Sequence, residues 1–501
     1  MGLPAAPLPD RSALRRLIAG TLMPGFVGTE VPAWVGLALD DGLASVCVYG
    51  ANVAGDEQLA ALAARLRGLG PRALLTLDEE GGDVTRLHYL TGSPQPGNAV
   101  LGRLDDTTAT AAASALIGAE LAGLGFNLDL APDADVNSSP DNPVIGSRSF
   151  GADPGLVAAH TAAWIVGLQA HGVAACAKHF PGHGDTSTDS HLALPRIGVD
   201  EATLRRRELV PFVAAIEAGV ASIMTSHIVV PALDPDRPAT LSPVVLTDLL
   251  RGELGFEGVI VTDALDMKGA SGEIGIPEAA VRALAAGADL LCLGPNTTEE
   301  SYSHLLDVVE DAVRSSRLPL RRVADAARRV SALADGYAPA PGENAASDTD
   351  DAGRAQGAVP SAERIAEAFL LGPDVGAWLA DPAPAVLVQG DGEANMAVGV
   401  VPWGPAAAGV PVVSADAVPP GAKVAVAARG LAPGHPAWKE AESLRATDHS
   451  VIVIECGWPR DERPDIVSYG ASRAVGEALT RALGLSPRER AASGVRHGSA
   501  S

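Results

Sequence analysis

Several features are scarce in this chain of 501 residues, and each scarcity excludes a class of protein. The four cysteines stand far apart, each inside an apolar run, which is typical of small buried side chains and not of a disulfide framework or a metal cage. Aromatic residues make up 4% of the chain, which argues against the stacking platforms of polysaccharide-binding modules. No apolar run approaches the roughly 18 residues of a membrane-spanning helix.

Positive charge is scarce as well. The formal net charge is −24, and the sequence contains no cluster of basic residues. Nucleic acid and anionic membranes are therefore excluded as partners. We expect a cytoplasmic protein without a leader segment. Only four of the 37 basic residues are lysines, so a lysine inside a motif is informative.

What the chain has is an alternation of short β-branched segments and longer helical ones, which predicts parallel strands joined by helices. Eight candidate strands indicate a (β/α)8 TIM-type barrel over residues 10–337. They are 20–24, 42–49, 72–77, 127–131, 172–178, 222–225, 258–262 and 289–293. Connecting helices are expected at 107–124, 154–170, 203–218 and 243–254.

A linker is predicted at residues 338–361, where proline, glycine and acidic residues replace the large apolar ones. After it, a smaller three-layer α/β sandwich domain is expected at 362–496. Its elements are helix-like segments at 362–371 and 472–483 and strand-like segments at 385–389, 423–428 and 450–456.

Polar residues follow the candidate barrel strands, where a parallel barrel carries its reactive side chains. Each one alone is compatible with a helix cap or a loop contact, but together they favour a site for a polar ligand. They are Asp78, Glu79 and Glu80; Asp133, Asp135 and Asn137; Lys178 and His179; His227; and Thr262 and Asp263.

Three of the eleven histidines fall in residues 178–191. His179 and His183 have the spacing of a zinc pair on a helix, but Pro181 and Gly182 between them oppose a helix, so no metal site is predicted. The segment ends in Asp189 and His191. In extended backbone these two side chains point the same way, which suits an acid/base dyad; a salt-bridged histidine in a surface loop is the alternative.

A second candidate is Asp263, which follows the apolar strand 258–262. A rigid strand can deliver one carboxylate to a barrel mouth as a nucleophile. The same residue could equally cap a helix.

Taken together, these segments resemble glycoside hydrolase family 3, in particular its β-N-acetylglucosaminidase branch. The resemblance runs through residues 15–335, and its most specific part is the string KHFPGHGD…DSH at 178–191. It implies a retaining, exo-acting hydrolase that releases terminal N-acetylglucosamine from cell-wall fragments, such as muropeptides, or from chitooligosaccharides. No metal ion or other cofactor is implied.

The resemblance also implies a role for each matching residue. Asp263 would be the nucleophile, and His191, oriented by Asp189, the acid/base. The substrate contacts would be Asp78, Arg86, Arg148, Lys178 and His179. Retaining hydrolysis needs this combination: a carboxylate that attacks the anomeric carbon, a proton donor for the leaving oxygen, and polar groups that hold the ring.

Three acidic residues depart from the expected pattern. Glu79, Asp83 and Asp133 stand where an amide, a basic and an apolar residue are expected, which predicts a more acidic mouth. Two other functions stay open. The first is a phosphorylase, because a neutral histidine repels an attacking phosphate less than a carboxylate does. The second is a sugar-binding protein that no longer catalyses.

Overall fold

The computed structural model describes residues 8–186, 194–272, 274–338, 357–390, 397–461 and 463–488. Within them, eight short parallel strands follow one another around a barrel. They are β1 (Leu22–Met23), β2 (Ser45–Cys47), β3 (Leu74–Leu77), β4 (Leu128–Asp129), β5 (Ala174–Phe180), β6 (Ser222–Thr225), β7 (Val259–Val261) and β8 (Leu291–Cys292). The predicted (β/α)8 barrel is confirmed.

Strands β2 to β7 form one sheet in sequence order, and β1 pairs with β8. Two contacts join these parts into a ring: Val261 bridges Leu290, and the Cys47 amide donates to the Pro24 carbonyl at 3.0 Å. All seven residues of β5 are buried, because the barrel interior covers one face of the strand and the outer helices cover the other.

Several helices around the barrel begin at residues whose side chains cap them. Asp106 accepts from the amides of Thr108 and Ala109 at the start of Thr107–Leu124, and Asp153 accepts from Leu156 at the start of Pro154–Gln169. The other α-helices are Arg11–Ala19, Ala33–Asp40, Asp56–Leu69, Asn98–Leu104, Glu201–Thr203, Val210–Glu217, Lys268–Ser271, Ile276–Ala286, Glu299–Arg314 and Leu320–Gly336.

Two expected α-helices contain wider π-helical turns instead. Within 203–218 the segment Leu204–Glu208 is π-helical, and most of 243–254 is the π-helix Val244–Glu253. Local sequence does not distinguish these windings, because both place apolar residues on one face.

The second unit has a five-stranded sheet in the order β10-β11-β12-β13-β9. Its strands are β9 (Leu370–Leu371), β10 (Ala385–Gln389), β11 (Lys423–Ala428), β12 (Val451–Glu455) and β13 (Ile466–Val467), parallel except for β9. Its α-helices are Ala362–Ala366, Val375–Ala380, Gly404–Ala407, Pro436–Ala446 and Arg473–Leu483. The helix expected at 362–371 therefore ends early, and its last residues form β9.

Alternate residues of β11 pack into two different apolar clusters. Ala425 and Ala427 face the cluster that contains Val475, whereas Val424 and Val426 face the one that contains Trp438. Helices cover both faces of the sheet, so the predicted three-layer sandwich is confirmed. The domain limits stay a prediction, because residues 339–356 of the proposed linker lie outside the described residues.

All four cysteines are buried and free, as predicted. In the part of the chain that the structure describes, no helix combines the length and apolarity needed to cross a bilayer.

Candidate active site

A pocket of about 140 Å³ opens at the carboxyl ends of the barrel strands. Six of the eight residues proposed for the site line it: Asp78, Arg86, Arg148, Lys178, His179 and Asp263. Their strands end at the same rim, so the fold brings residues almost 200 positions apart into one cavity. The two others, Asp189 and His191, lie outside the described residues.

One wall of the pocket is a network of four charged side chains. Lys178 Nζ lies 2.8 Å from Asp78 Oδ1 and 2.8 Å from Glu80 Oε1. Arg148 donates to Glu80 through two nitrogens, from Nε to Oε2 at 2.9 Å and from Nη2 to Oε1 at 2.7 Å. Burial opposes ionisation of Glu80, but Arg148 and Lys178 outweigh it and hold the pKa of this carboxyl well below its usual value. The network is a rigid, fully charged surface for sugar hydroxyls.

Arg86 joins this wall to the second unit. Its Nη2 lies 3.8 Å from Asp78 Oδ2 and donates to the Ala397 carbonyl at 2.8 Å. Ala397 itself lines the pocket. A backbone group of the second unit therefore orients one of the proposed substrate contacts.

Asp135, buried behind the pocket, organises the histidine segment. Its Oδ1 accepts from the amides of His179 at 3.2 Å and His183 at 2.6 Å, and its Oδ2 lies 2.7 Å from His179 Nδ1. Because Arg148 Nη2 approaches His179 Nε2 at 3.4 Å and can only donate, Nε2 is the acceptor and the imidazole is neutral. Burial and Arg148 lower the pKa of His179 to about 4, which agrees with that state.

Asp133, Asp135 and His179 have the donor atoms of a metal site, all within 4.8 Å of one another. The Arg148 guanidinium, however, lies 3.7 Å from Asp133 Oδ2 as well as beside His179. A cation is already in place, so these residues do not fit a metal ion.

Asp263 stands two residues after β7 and is partly exposed to the pocket. Its Oδ1 accepts from the Ala264 amide at 2.8 Å. The Ala264 carbonyl in turn accepts from His227 Nε2 at 2.9 Å, which fixes the backbone that follows Asp263. The carboxylate is thus held at a rigid strand end, and its charge acts on both His179 and His183.

The family model described as the glycosyl hydrolase family 3 N-terminal domain matches residues 34–333. The chain belongs to glycosyl hydrolase family 3. The beta-hexosaminidase A of Pseudoalteromonas piscicida is 37% identical over 279 residues, which are 52% of this chain and 46% of that protein. This chain therefore spans about half the length of that relative.

Two further relatives match over most of their own length. The beta-hexosaminidase of Stenotrophomonas maltophilia is 37% identical over 56% of this chain and 85% of that protein. The solved structure of a family 3 β-N-acetylglucosaminidase from a Paenibacillus species has a TM-score of 0.81 at 30% identity, covering 95% of this chain and 97% of that one.

The three unexpected acidic residues do not line this pocket, although Asp83 lines an adjoining one that shares Val144 and Arg148 with it, so the more acidic mouth stays a prediction. Glu79 is buried beneath a turn, where its Oε2 accepts from Thr85 Oγ1 at 2.7 Å and the Arg86 amide at 2.9 Å. Asp133 is fully buried behind Arg148. Asp83 points toward the second unit, where it pairs with Arg429.

Sequence reasoning noticed Glu80 and Asp135 as polar strand ends but assigned neither a role. Glu80 is the shared partner of Arg148 and Lys178, and Asp135 orients His179. A usable signal existed, because each stands two residues after an aspartate that follows a strand, and residues i and i+2 of extended backbone share a face.

Proposed function

We propose that this chain is an exo-acting, retaining β-N-acetylglucosaminidase. It would remove terminal β-linked N-acetylglucosamine from cell-wall fragments or chitooligosaccharides. One observation carries the proposal: a carboxylate on a rigid strand end, Asp263, opens into the same small pocket as the charged network of Asp78, Glu80, Arg148 and Lys178. The names of the family 3 relatives point to the same activity.

The charged network would hold the ring of the terminal sugar. Carboxylates accept from sugar hydroxyls, while Lys178, Arg148 and Arg86 donate to them, and a hydroxyl would replace Arg148 as the donor to Nε2 of neutral His179. Because these groups already hold one another in place, little side-chain freedom is lost when the sugar binds. A pocket of about 140 Å³ suits a single terminal ring, which supports exo action.

In the first step the Asp263 carboxylate attacks the anomeric carbon, and the bond from that carbon to the leaving oxygen breaks. His191, oriented by Asp189, gives its proton to that oxygen. In the second step His191 takes a proton from water, the water oxygen attacks the same carbon, and the bond to Asp263 breaks. Two inversions at that carbon retain the β configuration.

The experiment compares hydrolysis of an aryl β-N-acetylglucosaminide with that of the matching β-glucoside, with and without phosphate, for the wild type and Asp263→Asn. We expect release from the N-acetyl substrate alone. The variant should lose at least about 10³-fold in kcat, because an amide is a poor nucleophile in place of the carboxylate. An unchanged melting temperature controls for folding.

Three outcomes contradict parts of the proposal. Full activity of Asp263→Asn removes the nucleophile assignment. A sugar 1-phosphate formed only with phosphate means a phosphorylase. No turnover of either glycoside, nor of chitobiose and a peptidoglycan disaccharide, leaves only a binding protein.

A further inference from the structure

We propose that Asp83 is a positioning residue for the hydrolysis, through which the second unit fixes the two loops that hold the sugar. The inference rests on the proposed function and adds a role for the second unit. The residues concerned are Asp83, Ser147, Arg429 and Ala471, which are called the clasp below.

The Asp83 carboxylate joins three separate segments of the chain and is only 5% exposed. Its Oδ1 accepts from the Ala471 amide at 2.9 Å. Its Oδ2 accepts from Ser147 Oγ at 2.7 Å and from Arg429 Nη2 at 3.2 Å. Two of these partners belong to the second unit and one to the loop after β4, so a single side chain fastens the second unit to two barrel loops.

Both barrel loops carry residues of the charged network. Asp83 lies in a tight turn closed by the hydrogen bond from the Glu80 amide to the Val84 carbonyl at 3.1 Å. The turn packs closely on the backbone at Gly97, because a Cβ at Gly82 would lie 2.7 Å from the Cα of Gly97. On the other loop, Ser147 directly precedes Arg148.

The clasp thus fixes the backbone that carries Arg148 and the backbone that carries Glu80, which form a bidentate ion pair. A shift of either loop would separate the two side chains or tilt the guanidinium plane away from the carboxylate plane. A bidentate pair needs both groups to be correctly placed. The second unit touches the same β4 loop once more, where Arg460 Nη2 donates to the Asn142 carbonyl at 3.0 Å.

The clasp acts on one side of the barrel mouth only. It restrains the loops after β3 and β4, whereas Asp263 follows β7, three and four strands away in a ring of eight. Loosening the clasp therefore disturbs groups that hold the ring and leaves the attacking carboxylate in place. Such groups bind substrate and transition state alike, so their displacement raises KM more than it lowers kcat.

The test measures KM and kcat on an aryl β-N-acetylglucosaminide for the wild type, Asp83→Ala, Asp83→Asn, Arg429→Ala and the double variant Asp83→Ala with Arg429→Ala. We expect Asp83→Ala to raise KM about tenfold or more and to leave kcat within about threefold, since misplacement by about 1 Å costs up to a hundredfold. Asp83→Asn should lose less, because its amide oxygen still accepts from Ala471.

The double variant should be no worse than Asp83→Ala alone, because the two residues act as one unit. Arg473→Ala is the matched control. Arg473 also reaches from the second unit to the loop after β3, donating to the Gly92 carbonyl at 3.3 Å, but that contact lies beyond the turn from Glu80 to Val84 and involves neither Asp83 nor Ser147. Its KM should stay at the wild-type value.

A direct measurement separates this inference from the proposed function. Calorimetric binding of N-acetylglucosamine should weaken about tenfold in Asp83→Ala, and this readout needs no turnover. If the wild type hydrolyses nothing yet binds the sugar, weaker binding by the variant still supports the clasp. The inference is overturned if Asp83→Ala keeps the KM and the affinity of the wild type. A lower kcat at unchanged KM also overturns it, because that result indicates only a loss of folded protein. So does a wild-type protein that neither hydrolyses the substrate nor binds the sugar.

Discussion

At the scale of single residues, the Glu80 carboxylate compensates the charges of two cationic side chains that lie close together in a buried site. Lys178 and Arg148 both lie near the same carboxylate oxygen, and all three side chains are almost fully buried. Without this carboxylate, two positive charges would face each other, and the described residues would leave Asp78 and the more distant Asp133 as their ion-pair partners. An uncompensated buried charge is far more costly than an exposed one.

We expect Glu80→Gln to lower the free energy of unfolding by about 3 kcal/mol, because the amide keeps the shape but not the charge of the carboxylate. Urea unfolding at neutral pH measures this. The matched control is Glu278→Gln, since Glu278 also pairs with two arginines, Arg282 at 2.9 Å and Arg317 at 3.1 Å, but near the surface. Equal losses of unfolding free energy in both variants would mean that burial does not increase the contribution of the charged network to stability.

How much of the site the sequence predicts depends on how local each signal is. The motif around Lys178 and the aspartates at strand ends are contiguous features, and they supply four of the six described residues that line one pocket; the other two, Arg86 and Arg148, come from the family resemblance. The partners of Asp83 are not local, because Arg429 and Ala471 follow it by more than 300 positions. No spacing rule links such residues before the fold is known.

At the scale of elements, the strands are predictable and the departures have physical reasons. All eight barrel strands fall within or overlap the predicted segments, since buried parallel strands are continuous apolar runs. Leu370 and Leu371 continue a helix-like pattern, and the sequence therefore predicts a helix there. In the structure they form a strand that pairs antiparallel with Val467 and Ile466. That pairing depends on a strand almost 100 residues away.

The end of β12 supplies a prediction about pH. Glu455 is buried there, and its carboxylate caps the loop after β11 by accepting from the Gly430 amide at 3.0 Å and the Leu431 amide at 2.6 Å. Burial raises the pKa of Glu455 to about 7. The folded state therefore holds this proton more tightly than the unfolded state, so the contribution of Glu455 to stability is greatest at low pH and falls as pH rises from about 4.5 through 7.

Glu455→Gln should remove this dependence, because the amide is neutral throughout. Relative to the wild type, the variant should gain up to about 3 kcal/mol in unfolding free energy between pH 4.5 and 8, the equivalent of the pKa shift. Denaturant unfolding of both proteins across that range measures the difference. A constant difference at every pH would show that Glu455 does not titrate in the window.

At the scale of the whole molecule, the barrel and the second unit share a core. Ala99 and Val100, on the barrel helix Asn98–Leu104, are fully buried and belong to the apolar cluster of the second unit. Arg103 of the same helix donates to the Ala368 carbonyl and lies 4.0 Å from the centre of the Tyr469 ring. The two units are therefore expected to unfold together.

Val100→Asp tests this coupling, because a carboxylate cannot remain in the shared apolar cluster without a partner, and separation of the units is the cheapest relief. Calorimetry should give one main transition for the wild type and two for the variant, the lower one shifted by about 5 °C or more. Val166→Asp is the control, since Val166 is 57% exposed on a barrel helix and should tolerate the charge. KM should rise in Val100→Asp alone, because separation also withdraws Arg429 from Asp83 and Ala397 from Arg86. Two transitions already present in the wild type, or a variant that melts in one step at the wild-type temperature, would mean that the shared cluster does not couple the units.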